Sequence, residues 1–348
     1  MYSMNDNFDE FFSGGSAGYV ISHPSDIYYL SGFYSEDCLL LMSASPVLVT
    51  DSRYTVAARV SRFPVHISDG SYIDGVKALA HKQELKELFV QGDRLTYNEF
   101  MSLSGEFTVT AKEFRPLACR RYKTDEELLK IKAAQNITDK AFEKLLDYIL
   151  PGVTEKELKA QLEYLMLSLG ADGFAFETIV ASGKNGAKPH AVPTDKKVEK
   201  GEFITFDFGA RLDNYNSDMT RTVVLGEPDK EMAKVYSTVL QAHIEARDLL
   251  RCGASGQECD NAAREVISKN GYGEYFTHSL GHGVGIDIHE APRLSRKSTD
   301  ILDVGDIVTV EPGIYIENLL GVRIENMYAI NRNGYENLTV SDKNLIKL

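Results

Sequence analysis

The sequence predicts an α/β domain over residues 1–122 followed by an α+β domain over residues 123–348, the latter built from two α-α-β-β halves. Three observations predict this. Strand-like runs alternate with short helical stretches in the first 120 residues, two capping boxes then open a pair of helices, and the order of two helices followed by a β-rich stretch occurs a second time.

The strand-like runs of the first domain are YVIS (19–22), CLLLM (38–42), VLVT (47–50) and LFVQ (88–91), all rich in aliphatic and β-branched residues. The boundary falls in CRRYKTDEELLK, where polar residues lead into Thr124 and Glu127 at capping-box spacing. Leu128, Ile131, Ala134, Thr138, Ala141 and Leu145 then recur every three or four positions, the period of one helix face, until Pro151-Gly152 stops the run. Thr154 with Glu157 opens a second helix, which Gly170 closes. Residues 229–251 and 256–269 supply the next helix pair, and the chain is β-rich from Tyr275 onward. The two halves share no evident sequence identity, so the duplication is one of architecture.

A chain of 348 residues can bury two sizeable cores. Its net charge of -13 argues against a nucleic-acid partner, which needs a basic surface to replace phosphate counterions. No apolar run approaches the roughly 18 residues of a membrane span, and the start, MYSMNDNFDEFF, has neither a basic nor an apolar leader segment. A cytoplasmic location without a membrane partner is expected. Cys38, Cys119, Cys252 and Cys259 form no CxxC and have no histidine at zinc-ligand spacing, so they are read as small buried residues.

The chemistry concentrates in three stretches. In ITFDFGARLDNYNSDMT (204–220), two strand-like runs flank a polar centre with a turn near Leu212 and Asp213, so Asp207 and Asp218 fall opposite or nearly opposite each other. Directly opposed like charges, with Cβ atoms roughly 4.5 to 5.5 Å apart, destabilise a sheet. A positive charge is therefore expected between them. FTHSLGHGVGIDIHE gathers three of the eight histidines, His278, His282 and His289. In IVTVEPGIYIENLLGVRIEN, Glu311 ends one apolar strand and Glu325 follows another, where a carboxylate needs a partner. Two aspartates, two glutamates and a histidine carry enough negative charge to balance two divalent cations, so a metal pair is the expected occupant.

Other readings of these residues are weaker. GHGVG lacks the G-x-G-x-x-G spacing of a nucleotide loop. His278 and His282 have the spacing of H-x-x-x-H, but Gly281, Gly283 and Gly285 disfavour the helix that motif needs, so His278 is read as structural. His282 and His289 would face opposite sides of a regular strand; for both to reach one site the run must bend, most cheaply at Gly283 or Gly285. His23, His66, His81 and His243 receive no role.

Residues from about 124 to the C-terminus resemble the pita-bread metallopeptidases, and within them the aminopeptidase P and Xaa-Pro dipeptidase branch. His190, Asp207, Asp218, His282, His289, Glu311 and Glu325 occur in the family's order, within the words DFG, SDMTRT, GHGVG, VEPG and VRIEN. DIYYLSGF and LVTDSRY make the first domain similar to the creatinase-type N-terminal domain. The resemblance implies a pita-bread catalytic domain and five metal ligands. Asp207 would bind one ion, His282 and Glu311 the other, and Asp218 and Glu325 both. It also implies a water or hydroxide between the ions as nucleophile, Glu311 as proton carrier, and His190 and His289 as groups that contact substrate and stabilise the tetrahedral intermediate. Arg323, on the same strand face as Glu325, is expected to orient the carboxylates. Mn²⁺ suits so carboxylate-rich a cage, with Co²⁺ or Zn²⁺ as alternatives. Relatives are commonly dimers, so a homodimer is expected.

The resemblance implies an Xaa-Pro aminopeptidase, which releases the first residue from peptides with proline second. The nearest alternative is an Xaa-Pro dipeptidase (prolidase), which recognises the free carboxylate of a dipeptide, and Arg293 in HEAPRLS is a candidate partner for that carboxylate. Methionine aminopeptidase fits less well because an α/β domain comes first. Creatinase and a silent peptide-binding module fit less well because the ligand set is complete. The chain contains no tryptophan, so a proline pocket must use other aromatic or aliphatic walls.

Overall fold

The computed structural model describes residues 15–348. These divide between Arg120 and Arg121 into two compact units.

The first unit is a six-stranded mixed sheet with helices on its faces. Its strands are β1 (Ala17–Ile21), β2 (Leu39–Met42), β3 (Val47–Thr50), β4 (Val65–Ile67), β5 (Glu87–Val90) and β6 (Thr108–Ala111), in the order β4-β3-β2-β1-β5-β6. Strand alternation divides the core between the two faces. Val20 and Leu41 pack with Val76 and Leu79 of α2 (Tyr72–Lys82). Tyr19, Ile21, Leu40 and Met42 pack with Ile27 and Leu30 of α1 (Pro24–Ser31). Capping boxes start α2, at Ser71 and Asp74, and α3 (Tyr97–Ser104), at Thr96 and Glu99.

In the second unit, α4 (Asp125–Leu145) and α5 (Glu155–Ser168) each begin with the predicted capping box. They cover the first half's strands: β7 (Gly173–Phe174), β8 (Ile179–Ser182), β9 (Phe203–Phe208), β10 (Ala210–Leu212), β11 (Tyr215–Asn216) and β12 (Met219–Val224). Phe142 of α4 meets Phe206 and Phe208 of β9, each with ring centroids 6.2 Å apart. The hairpin turns at Asp213 and Asn214, both at positive φ (49° and 63°), as a tight two-residue turn between right-twisted strands requires.

The second half repeats the plan. Helices α6 (Lys230–Arg247) and α7 (Gly256–Lys269) pack on β13 (Gly281–Gly283), β14 (Glu290–Leu294), β15 (Ile307–Val310), β16 (Gly313–Ile316), β17 (Leu320–Arg323), β18 (Asn326–Asn331) and β19 (Gly334–Asn337). Antiparallel triplets β8-β9-β12 and β13-β15-β18 form the centres of the two halves. The halves are joined where Glu325 N donates to Thr220 O (3.1 Å). Beside this joint, the fully buried Arg221 donates to Thr220 O (2.9 Å), Asn326 Oδ1 (2.8 Å) and Ser341 O (2.7 Å).

Two expectations need correction. The turn lies one residue later than expected, at Asp213 and Asn214, so Asp207 pairs with Thr220 and Asp218 is diagonal to it on the same face, nearly rather than directly opposed. The hairpin strands approach closely at Gly209, where a Cβ would lie 1.8 Å from Ser217 O. Nor are all cysteines buried: Cys38 and Cys259 are, Cys119 is half-buried, and Cys252 is exposed with its thiol 3.3 Å from Asp303 Oδ1.

Candidate metal centre

Equivalent strand ends of the two halves deliver the acidic residues. Asp207 sits at the end of β9 and Glu311 directly after β15; Asp218 precedes β12 and Glu325 precedes β18. Ligand atoms of Asp218, His282 and Glu325 all lie within 4.8 Å of one another, and all three residues are buried. His282 Nε2 is 3.3 Å from Glu311 Oε1 and 3.6 Å from Asp218 Oδ2. Its Nδ1 is 3.1 Å from the carbonyl of Gly283, which can only accept, so Nδ1 carries a proton and Nε2 is the nitrogen turned toward the carboxylates.

The charge balance calls for a cation. Asp218 Oδ1 and Glu325 Oε1 are buried polar atoms without a hydrogen-bond partner. Burial first, and then repulsion by the neighbouring carboxylates, pushes the pKa of both Asp218 and Glu325 well above the usual carboxylate range. Burial acts the same way on Glu311, but the hydrogen bond and charge of His282 outweigh it and hold Glu311 low. Burial opposes charge on His282, and Glu311 reverses that effect. An uncompensated buried charge costs several kcal/mol. Hard oxygen donors with one imidazole would relieve that cost by holding divalent cations, and the two orphan oxygens are where such ions would take ligands.

Arg323 lies buried among the acidic side chains. Its Nη2 donates to Asp207 Oδ2 (2.6 Å) and its Nε to Thr220 Oγ1 (3.0 Å), while the Thr220 hydroxyl donates to Glu325 Oε2 (2.7 Å). Arg323 therefore touches Asp207 directly and Glu325 through Thr220. Its Nη1 donates to the Tyr315 hydroxyl (2.6 Å), which lies 2.9 Å from His278 Nε2. His278, read as merely structural, is thus connected to the site. Sequence reasoning missed Thr220 and Tyr315; their positions two residues after Asp218 and four after Glu311 were the available signals.

His289 joins the cluster from the solvent side. The chain bends between the two histidines, where the β13–β14 register shifts between His282 and Gly283. Asn216 holds the bend by donating to Ile286 O (2.8 Å) and Gly285 O (3.2 Å). Lost hydration and then the neighbouring His282 keep His289 below the ordinary histidine range. His190 is exposed on the loop after β8, and that loop reaches the site through Pro189, whose carbonyl accepts from Arg323 Nη1 (3.4 Å).

Matching strand ends from two like halves, converging on buried carboxylates and an imidazole, define a metallopeptidase of the pita-bread class. Residues 129–332 match the Metallopeptidase family M24, and the chain belongs to that family. Residues 13–119 match the Creatinase/Prolidase N-terminal domain. The chain is 37% identical over 335 residues to the Xaa-Pro dipeptidase of Pyrococcus horikoshii, covering 94% of this chain and 93% of that one. The structure of an X-Pro aminopeptidase from Thermotoga maritima matches with a TM-score of 0.90 and 37% identity over 99% of this chain and 100% of the other. That of a Xaa-Pro dipeptidase from Bacillus anthracis matches with a TM-score of 0.93 and 36% identity over 99% and 98%.

Proposed function

We propose that this metallopeptidase is an Xaa-Pro dipeptidase, working with two divalent ions, Mn²⁺ by preference, held by Asp207, Asp218, His282, Glu311 and Glu325. Bound there, such ions would lower the pKa of a water and polarise the scissile carbonyl. Glu311, held 3.3 Å from His282, takes the water's proton and delivers it to the departing proline nitrogen. His289 and His190 donate to the oxygen on which negative charge develops. Arg323 fixes Asp207 directly, and Glu325 through Thr220.

The dipeptidase reading is preferred to the aminopeptidase reading for one structural reason, Arg293. It pairs directly with His282 across β13 and β14, so its exposed side chain leaves the same face of the sheet, where a substrate's free carboxylate would meet a guanidinium. The Pyrococcus dipeptidase supports the same choice. An Xaa-Pro aminopeptidase is the second reading, supported by the Thermotoga structure. Comparing kcat/KM for an Xaa-Pro dipeptide, its C-terminal amide and an Xaa-Pro tripeptide separates them. A dipeptidase prefers the free dipeptide and loses activity on the amide; equal or better turnover of the tripeptide points to the aminopeptidase.

A further inference from the structure

A carboxylate with no role in the account above lies behind the His190 loop. Glu155, in the first turn of α5, is completely buried. Its Oε1 accepts from Ser182 N (2.6 Å) and Ser182 Oγ (3.0 Å), and its Oε2 from Asn185 Nδ2 (2.9 Å), Thr194 N (2.9 Å) and Thr194 Oγ1 (2.7 Å). All five donors belong to the segment that carries His190. Ser182 is its entry at the end of β8 and Thr194 its exit, and Asn185 also donates to Val192 O (3.3 Å) across the loop. One carboxylate thus closes both ends of a loop that exposes Lys188 and His190 while burying Asn185, Gly186 and Ala191.

The loop's far side is fixed against the metal-site strands. Gly186 packs so closely on Gly321 of β17 that a Cβ on Gly321 would lie 1.8 Å from Gly186 O. Two residues further along β17, Arg323 donates to Pro189 O. His190 follows directly. The segment is therefore held between Glu155 on one side and the strand carrying Arg323 on the other, with the exposed imidazole as its free element.

We propose that Glu155 is a positioning residue that sets the reach of His190 toward the substrate. This rests on the reading above that His190 donates to the reacting carbonyl oxygen. A helix-capping role alone does not account for the arrangement, because α5 already has its own capping box of Thr154 and Glu157. A carboxylate accepts from all five donors at once, whereas an amide presents two N–H groups to some of them and forces the loop to shift. Displacement by about 1 Å at a distance from the chemistry can cost up to about 100-fold in rate.

The test is a double-mutant cycle on the Mn²⁺-loaded full chain with an Xaa-Pro dipeptide. Glu155→Gln is expected to lower kcat between about 10- and 100-fold with KM and metal content near the wild-type values, and to cause no further loss in a His190→Ala background. Thr194→Val, which removes one donor and leaves the carboxylate, is expected to give a smaller loss that also vanishes in that background, and it decides the matter should Glu155→Gln not fold. Wild-type kcat in both variants, or losses that multiply with that of His190→Ala, overturn the positioning role while leaving the role of His190 intact. Full activity of His190→Ala itself overturns the reading of His190, and the positioning role with it.

Discussion

The imidazole rings of His282 and His289 meet edge to face, with centroids 4.4 Å apart and planes at 74°. Seven residues along a regular strand would have put them on opposite faces. The register shift after His282 and the clamp from Asn216 bring them together, yet their surroundings differ. His282 is buried with Nε2 among carboxylates, while His289 faces solvent.

This difference predicts separate phenotypes. His282→Ala should lose metal and activity together. His289→Ala should keep its metal and lose about 10²- to 10³-fold in kcat, the scale of one missing oxyanion donor. Metal analysis alongside kinetics checks both, and loss of metal from His289→Ala would show that the two roles are exchanged.

Asp218 and Glu325 occupy equivalent positions in the two halves, each with one orphan oxygen. If Asp218 bridges two ions, Asp218→Asn should weaken binding of both. Calorimetric titration of metal-stripped protein with Mn²⁺ reads this directly, and a variant with one site at wild-type affinity contradicts the bridge.

Arg293 should act on binding more than on chemistry. Arg293→Gln is expected to raise KM for a free Xaa-Pro dipeptide by about 10-fold or more, the worth of a charge-assisted hydrogen bond, with kcat little changed. The C-terminal amide should be indifferent to the substitution. An equal effect on dipeptide and amide removes Arg293 from carboxylate recognition.

His243 gives a prediction about acid stability. It is completely buried, with Nδ1 3.2 Å from Ile324 O and Nε2 2.7 Å from the Tyr328 hydroxyl, so it is neutral with its proton on Nδ1. Burial pushes its pKa down to about 3, against an ordinary value of 6.5. Below pH 6.5 the unfolded chain takes up a proton that the folded chain refuses, so this residue's contribution falls with pH by up to about 1.4 kcal/mol per unit. Titration of the other groups is common to both proteins. His243→Gln should therefore be less stable than wild type near neutrality and decline less steeply in acid. Denaturant midpoints of the two proteins between about pH 7.5 and 4.5 check this, and parallel declines would contradict it.

Features carried by local spacing were legible in the sequence. The capping boxes at Thr124 and Thr154, the acidic strand ends and the need for a bend near Gly283 all depend on residues a few positions apart. Two edge strands were not: Val65–Ile67 and Thr108–Ala111 are short and largely unburied, so no apolar run marks them. The offset of Asp218 from Asp207 was misjudged because the turn lies one residue later than the composition suggested, at Asp213 and Asn214, and a one-residue shift moves every cross-strand partner by two. Thr220 and Tyr315 escaped notice for other reasons. Thr220 takes its role from Arg323, 103 residues away, which reaches it only after the two halves close, whereas Tyr315 lies eight residues from Arg323 on the neighbouring strand of one hairpin and is marked only by its place four residues after Glu311.

Hydrolysis by the proposed mechanism depends on metal held by the buried acidic cluster. The most direct measurement is the rate of Xaa-Pro dipeptide hydrolysis by metal-stripped protein before and after addition of Mn²⁺. Metal-stripped protein should give no turnover and should recover as Mn²⁺ is added, in proportion to the metal bound. Undiminished hydrolysis by protein shown to be metal-free would contradict the mechanism.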